Sequence, residues 1–232
     1  MDCGYFDLGQ CDLAEFREIV SRRLEPGAVP RASGVECNVP VYDVDALGAN
    51  LANPLERKKL LVEWGQVLGA LSGVLVLKRA YVDTSVLDGA AAVYADIIAR
   101  EKADGAAGAD HFATAGANDR VWNALQKLCD ADPDIFARYF GNVAIAAVAE
   151  AWLGPCYQMT AQINLVRPGG TAQQAHRDYH LGFQTAEVSA RFPAHIHDLS
   201  CVLTLQGAVA HCDMPVESGP TKLLPFSQLL SL

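Results

Sequence analysis

Two histidines and an aspartate alternate in QQAHRDYHLGF, residues 173–183, as His176, Asp178 and His180. Imidazole nitrogens and carboxylate oxygens are donors that first-row divalent metals accept. Strand residues two apart face the same side, about 6.6 Å from one another. His176 and Asp178 can therefore reach one cation through bonds of about 2 Å. His180 would lie about 13 Å from His176 along the same strand, so the two imidazoles would meet a cation from opposite ends. The spacing selects His176 and Asp178 as the metal pair and turns His180 toward a substrate or a supporting role. Polar residues on an ordinary solvated strand would give the same three letters.

A second pair, His195 and His197 in HIH, stands just before an expected strand, and His211 stands near that strand's end. Their plainer reading is as hydrogen-bonded loop or strand-end histidines. Ahead of the first pair, Thr160, Gln162 and Asn164 share one strand face, while Ala161, Ile163 and Leu165 share the other. A polar face of that kind suits a wet barrel interior. Arg177, between the two candidate ligands, belongs on the opposite face, where an external salt bridge is its expected role. One histidine and one carboxylate are two corners of the facial triad that holds iron(II) in non-haem oxygenases.

The elements that must position these residues fall into two textures. The first half reads as helices. CDLAEFREIVSRRLE carries Leu13, Phe16, Ile19, Val20 and Leu24 near helical spacing and ends at Pro26-Gly27. Residues 25–50 read as an extended connection. Asn53-Pro54 opens the next helix: asparagine accepts from an orphan backbone N–H, and proline has none to lose. Leu60, Leu61, Trp64, Val67, Leu68 and Leu71 form its apolar stripe, and Gly73 stops it. GVLVLKRA predicts a strand. Helices are expected over 84–102, 119–130 and 133–152, with the glycine- and alanine-rich stretch 103–118 as a loop. After Pro155 strands are expected: CYQMTAQINLVR, a turn at Pro168-Gly169-Gly170, the metal-pair strand, DLSCVLTLQGAVAHCDM and GPTKLLPF. Residues 1–50 thus form an N-terminal helix and connection, and 51–232 a single domain of helices followed by β structure.

Composition narrows the partners. The 18 basic and 27 acidic side chains give a formal charge of −9, with no Lys/Arg cluster. That balance argues against nucleic acid, whose binding depends on neutralising phosphates. No apolar run approaches the length of a membrane helix, and no basic-then-apolar leader opens the chain. Seven scattered cysteines without a C-x-x-C pair suggest reduced thiols and a cytoplasmic setting.

QINLVRPGGTAQQAHRDYHLGF followed by ESGPTKLLPFSQ resembles the phytanoyl-CoA dioxygenase family of Fe(II)/2-oxoglutarate oxygenases, and GVLVLKRAYVDTSVLDGA is similar to that family's first strand and helix. The resemblance spans roughly residues 60–228. It implies an α+β fold with a double-stranded β-helix, a jelly roll backed by the N-terminal helices. It implies iron on His176 and Asp178, with 2-oxoglutarate as cosubstrate and dioxygen as oxidant, and hydroxylation of a small-molecule C–H bond. Gln162 and Asn164, with Thr160, match the family positions that contact the cosubstrate. Asp178 argues against the related halogenases, which carry a small residue there.

The pattern also breaks. The family's P-x-S-H stretch has Gln228 in place of its histidine. The third metal ligand and the arginine that binds the far carboxylate of 2-oxoglutarate are expected further on, yet no histidine follows His211 and no arginine follows Arg191. Lys222 is the one basic side chain in that tail, and a lone ammonium replaces a guanidinium fork only in part. A shortened, inactive chain without its closing strands is the corresponding expectation. Two rival readings stand beside the oxygenase: a non-catalytic jelly-roll binding module, and a zinc hydrolase built from His176, Asp178 and His195/His197. The substrate depends on loops such as 103–118 and 181–197 and is not legible.

Overall fold

The computed structural model describes residues 4, 5, 7, 9, 11–105, 118–168, 173, 175–178, 181, 182 and 184–230. Helix α1, Leu13–Val20, begins where Asp12 accepts from the backbone N–H groups of Ala14 and Glu15. It is shorter than its apolar spacing predicts, but Leu24 beyond it is still buried. The expected extended connection contains a hairpin. Strands β1, Gly34–Glu36, and β2, Val39–Asp43, pair antiparallel across Cys37-Asn38. Both turn residues have positive φ, 49° and 67°, as a two-residue turn matched to strand twist requires. Asn38 suits it because its side chain also accepts from Leu24 N and donates to Arg22 O.

Helix α2, Val44–Ala52, leads into α3, Pro54–Ala70, at the predicted Asn53-Pro54 start; Asn53 accepts from Leu55 N and Glu56 N. The stripe buries as expected, with Leu60, Trp64 and Val67 fully enclosed. Each such side chain contributes about 1.5–3 kcal/mol through burial. Trp64 meets Tyr42 edge-on at 5.7 Å. Glu63 is also buried, accepting from Tyr42 Oη at 2.9 Å and Arg31 Nη1 at 3.0 Å. Burial, then the Glu63 charge, push the Tyr42 hydroxyl well above its ordinary pKa. After α3 the chain turns at Gly73 (φ +74°) into β3, Val76–Lys78, which lies parallel to β2.

Helix α4, Ser85–Ala103, follows. The glycine- and alanine-rich loop lies outside the described residues over 106–117. Residues 119–130 are not one helix: Asn118–Val121 is strand β4, and α5 is Ala124–Ala131. Asp119 and Val121 are buried while their neighbours are half-buried, a period of two that the window concealed. Asn123, at φ +52°, separates strand from helix. The long helix expected over 133–152 is two: α6, Pro133–Phe140, and α7, Val143–Leu153. Asn142 caps the second by accepting from Ala144 N and Ile145 N, a start signal inside an otherwise continuous apolar pattern. Helix α7 packs along α3, and α4 packs against α5 and α6.

Strand β5, Ile163–Val166, pairs antiparallel with β4, placing Arg120 opposite Asn164 and Asp119 opposite Leu165. Beyond it the described chain is mostly irregular, with helices α8, Ala186–Ser189, and α9, Ala194–Val202. DLSCVLTLQGAVAHCDM is therefore not a strand: it begins inside α9 and continues without a partner strand. GPTKLLPF likewise joins no sheet among the described residues, with Phe226 leading into a 3-10 turn, Ser227–Leu229. The fold is α+β with two small sheets among the described residues, and no jelly roll is formed among them.

Candidate functional site

His176 and Asp178 sit in a segment that joins no sheet among its described residues. The strand expected for it is not seen among these residues; the segment instead sends a side-chain bond from Arg177 to the Ser227 carbonyl. The side chains of His176 and Asp178 nevertheless meet. His176 Nε2 lies 3.3 Å from Asp178 Oδ1, with 22% and 27% of the side chains exposed. Two ligands on adjacent positions of one cation, each bonded at about 2.0–2.2 Å, are about 3 Å apart. The donor types and their separation therefore fit neighbouring positions on one divalent ion. Among the described residues no three His, Cys, Asp or Glu side chains converge as a metal-binding group. His180 lies outside the described residues.

Among the described residues Arg177 forms no external salt bridge of the kind expected. Its Nη2 donates to the Ser227 carbonyl at 2.5 Å. Ser227 belongs to a turn fixed on α3: Phe226 N donates to Ser72 O at 2.9 Å, and Gln228 Nε2 donates to Leu71 O at 2.8 Å. Gln228 thus satisfies a carbonyl at the end of α3. Its side chain fills the space beside Gly73, within 2.2 Å of where a Cβ would stand. Phe226 is buried at 3% exposure among Ile19, Leu24, Val29 and Val67.

The expected polar strand face forms only in part: Asn164 alone of its residues lies in β5, and Leu165, expected on the apolar face, is 44% exposed. Thr160, Gln162 and Asn164 are exposed, while Ala161 and Ile163 pack on the helical core. Sequence reading passed over Arg120, which lies on this face. It donates to Gln162 Oε1 at 3.1 Å and stands 5.4 Å from the Trp122 ring centre. The missed signal was the alternation of β4, hidden inside an expected helix. On the other face Asp119 is 6% exposed and receives Lys102 Nζ at 2.5 Å and Arg167 Nε at 2.8 Å. Burial pushes its carboxyl up, but these cations outweigh that and hold it below the usual carboxylate range.

The remaining histidines go elsewhere. His195 and His197 lie on α9, where positions two apart diverge by about 200°. His195 is exposed, whereas His197 is buried, with Nε2 3.0 Å from Ser189 O. They are not a same-face pair, which removes the geometric basis of the zinc reading. His211 Nε2 lies 2.7 Å from Tyr139 Oη, and burial lowers its pKa. It anchors an irregular stretch to α6 and ends no strand. Lys222 is exposed.

The family model for phytanoyl-CoA dioxygenase (PhyH) matches residues 70–232. The chain belongs to the phytanoyl-CoA dioxygenase family. This is a family of iron- and 2-oxoglutarate-dependent oxygenases, and its matched span contains the His176–Asp178 pair, β4, β5 and the Phe226–Gln228 turn. No curated protein and no solved structure matches the chain significantly. No helix among the described residues is long and apolar enough to cross a membrane.

Proposed function

We propose that this chain carries an iron- and 2-oxoglutarate-binding centre for hydroxylating a C–H bond of a small molecule, with His176 and Asp178 as metal ligands. The observation that supports this most is the 3.3 Å approach of His176 Nε2 to Asp178 Oδ1, inside the span matched by the family. Bound iron would supply oxidation by dioxygen, one oxygen atom going to the substrate and the other to succinate as 2-oxoglutarate loses CO2.

The chain's own residues have simpler tasks. His176 would offer a nitrogen and Asp178 an oxygen to the metal, filling two positions and leaving others open. Gln162 and Asn164, with Thr160, would orient the polar groups of 2-oxoglutarate from the strand face. Arg120 adds a guanidinium whose fork suits a carboxylate. The jelly roll of the family would enclose such a site; it is part of this proposal and supported by the family match alone.

The test is anaerobic titration with Fe(II) and 2-oxoglutarate, followed by visible absorbance and by succinate release once oxygen is admitted. A 2-oxoglutarate-dependent band that disappears in His176→Ala and Asp178→Ala is expected. A chain that takes up no iron, or takes it up equally in both variants, refutes the assignment and leaves a non-catalytic binding module as the better reading.

A further inference from the structure

The bond from Arg177 to Ser227 joins the candidate metal pair to a distant part of the fold. Arg177 stands between the two donors, so the bond that fixes it also restrains the backbone on either side, and His176 and Asp178 meet at 3.3 Å. The acceptor is a backbone carbonyl, which cannot swing away like a side chain. It is also immobilised on both sides. Phe226 before it is buried and hydrogen-bonded to Ser72, and Gln228 after it is hydrogen-bonded to Leu71 and wedged against Gly73. Phe226 holds φ at +67°, a conformation bulky residues avoid unless their surroundings impose it.

We propose that Arg177 is a positioning residue: through the Ser227 carbonyl it ties the His176–Asp178 pair to the end of α3 and holds the two donors side by side. This rests on the metal-ligand reading above, but it concerns residues that would touch neither metal nor substrate. Gln228 is the second part of the device. It fixes the turn that offers the carbonyl. Partners that orient metal ligands in this way typically change affinity by about 10–100-fold when removed.

Mn(II) binding, followed by the electron paramagnetic resonance signal of the free ion, tests the proposal. Arg177→Ala should weaken Mn(II) binding by about 10–100-fold, with the circular dichroism spectrum and Tm close to those of the parent. Arg177→Lys should recover part of the loss, because an ammonium can still donate to one carbonyl. Gln228→Ala should weaken binding less, and in the Arg177→Ala background it should add nothing, since the two act through one strap. If Arg177→Ala does not fold, the Lys variant and Gln228→Ala decide the matter alone. Unchanged affinity in these variants, with binding abolished by His176→Ala, overturns the positioning role and leaves the ligand assignment intact. If the parent binds no Mn(II), the ligand assignment fails, and amide exchange of residues 175–178 decides whether a strap exists. Faster exchange in both Arg177→Ala and Gln228→Ala supports it, and unchanged exchange overturns it.

Discussion

The helical half and the segment after β5 are held by different physics. Around α3 and α7, and again around α4, α5 and α6, large side chains are enclosed: Leu60, Trp64, Val67, Tyr94 and Leu128 are buried almost completely. After β5 enclosed apolar residues are sparse among the described positions, with Leu181 and Phe226 the larger ones. That segment is fastened instead by single polar contacts to the helical half or within itself: Arg177 to Ser227, Gln228 to Leu71, His211 to Tyr139, His197 to Ser189. Burial is non-directional and sums over many contacts. A hydrogen bond contributes about 0.5–1.5 kcal/mol and vanishes with one atom. The first region should resist substitution by bulk and the second by geometry.

The largest expected effect belongs to the first region. Trp64→Ala opens a cavity beneath β2 and should lower stability by about 3–5 kcal/mol, measured by urea unfolding. A cost below about 1 kcal/mol would show that this core is not the principal support. Asp119→Asn comes next, at about 2 kcal/mol, because it removes the charge that Lys102 and Arg167 share. The sign of its pH dependence follows from the lowered carboxyl pKa. The folded carboxyl titrates below the unfolded value of about 3.9, so its contribution is complete above that value. It is lost as pH falls through the folded pKa. The parent should lose stability in acid more steeply than Asp119→Asn, and parallel acid curves would refute the ion network.

Much of this contrast was legible beforehand, and the failures have common causes. The stripe of α3 and its Asn53-Pro54 start follow from periodicity and capping, which are local. The strand of β4 was hidden because Asn118–Val121 spans too few residues to compete with the adjoining helical pattern. Its identity depends on β5, which lies far along the chain. Period two makes HIH a same-face pair ahead of a strand, yet Pro193 caps a helix there. Arg177's partner was beyond reach for the same reason as β4: Ser227 offers only a backbone carbonyl, and no side-chain pattern announces it.

Two smaller effects sharpen the second region. Gln228→Ala should cost about 1 kcal/mol in stability by leaving the Leu71 carbonyl without its donor, read as a shift in the urea midpoint. His211 should show the weakest effect, through pH. Its folded pKa lies below the unfolded value of about 6.5, so the neutral ring contributes fully above that pH. The contribution fades as pH drops through the folded pKa. His211→Asn should flatten the stability profile just below neutrality, by at most about 1 kcal/mol. An unchanged profile would mean that the Tyr139 contact is dispensable.

The carboxamide of Gln228 occupies the volume that a methyl group on residue 73 would need. The glycine is required twice over, because its φ of +74° is one that side chains rarely adopt. Shortening residue 228 alone would free the space without making residue 73 replaceable, so the backbone at this corner constrains the chain more tightly than the packing does.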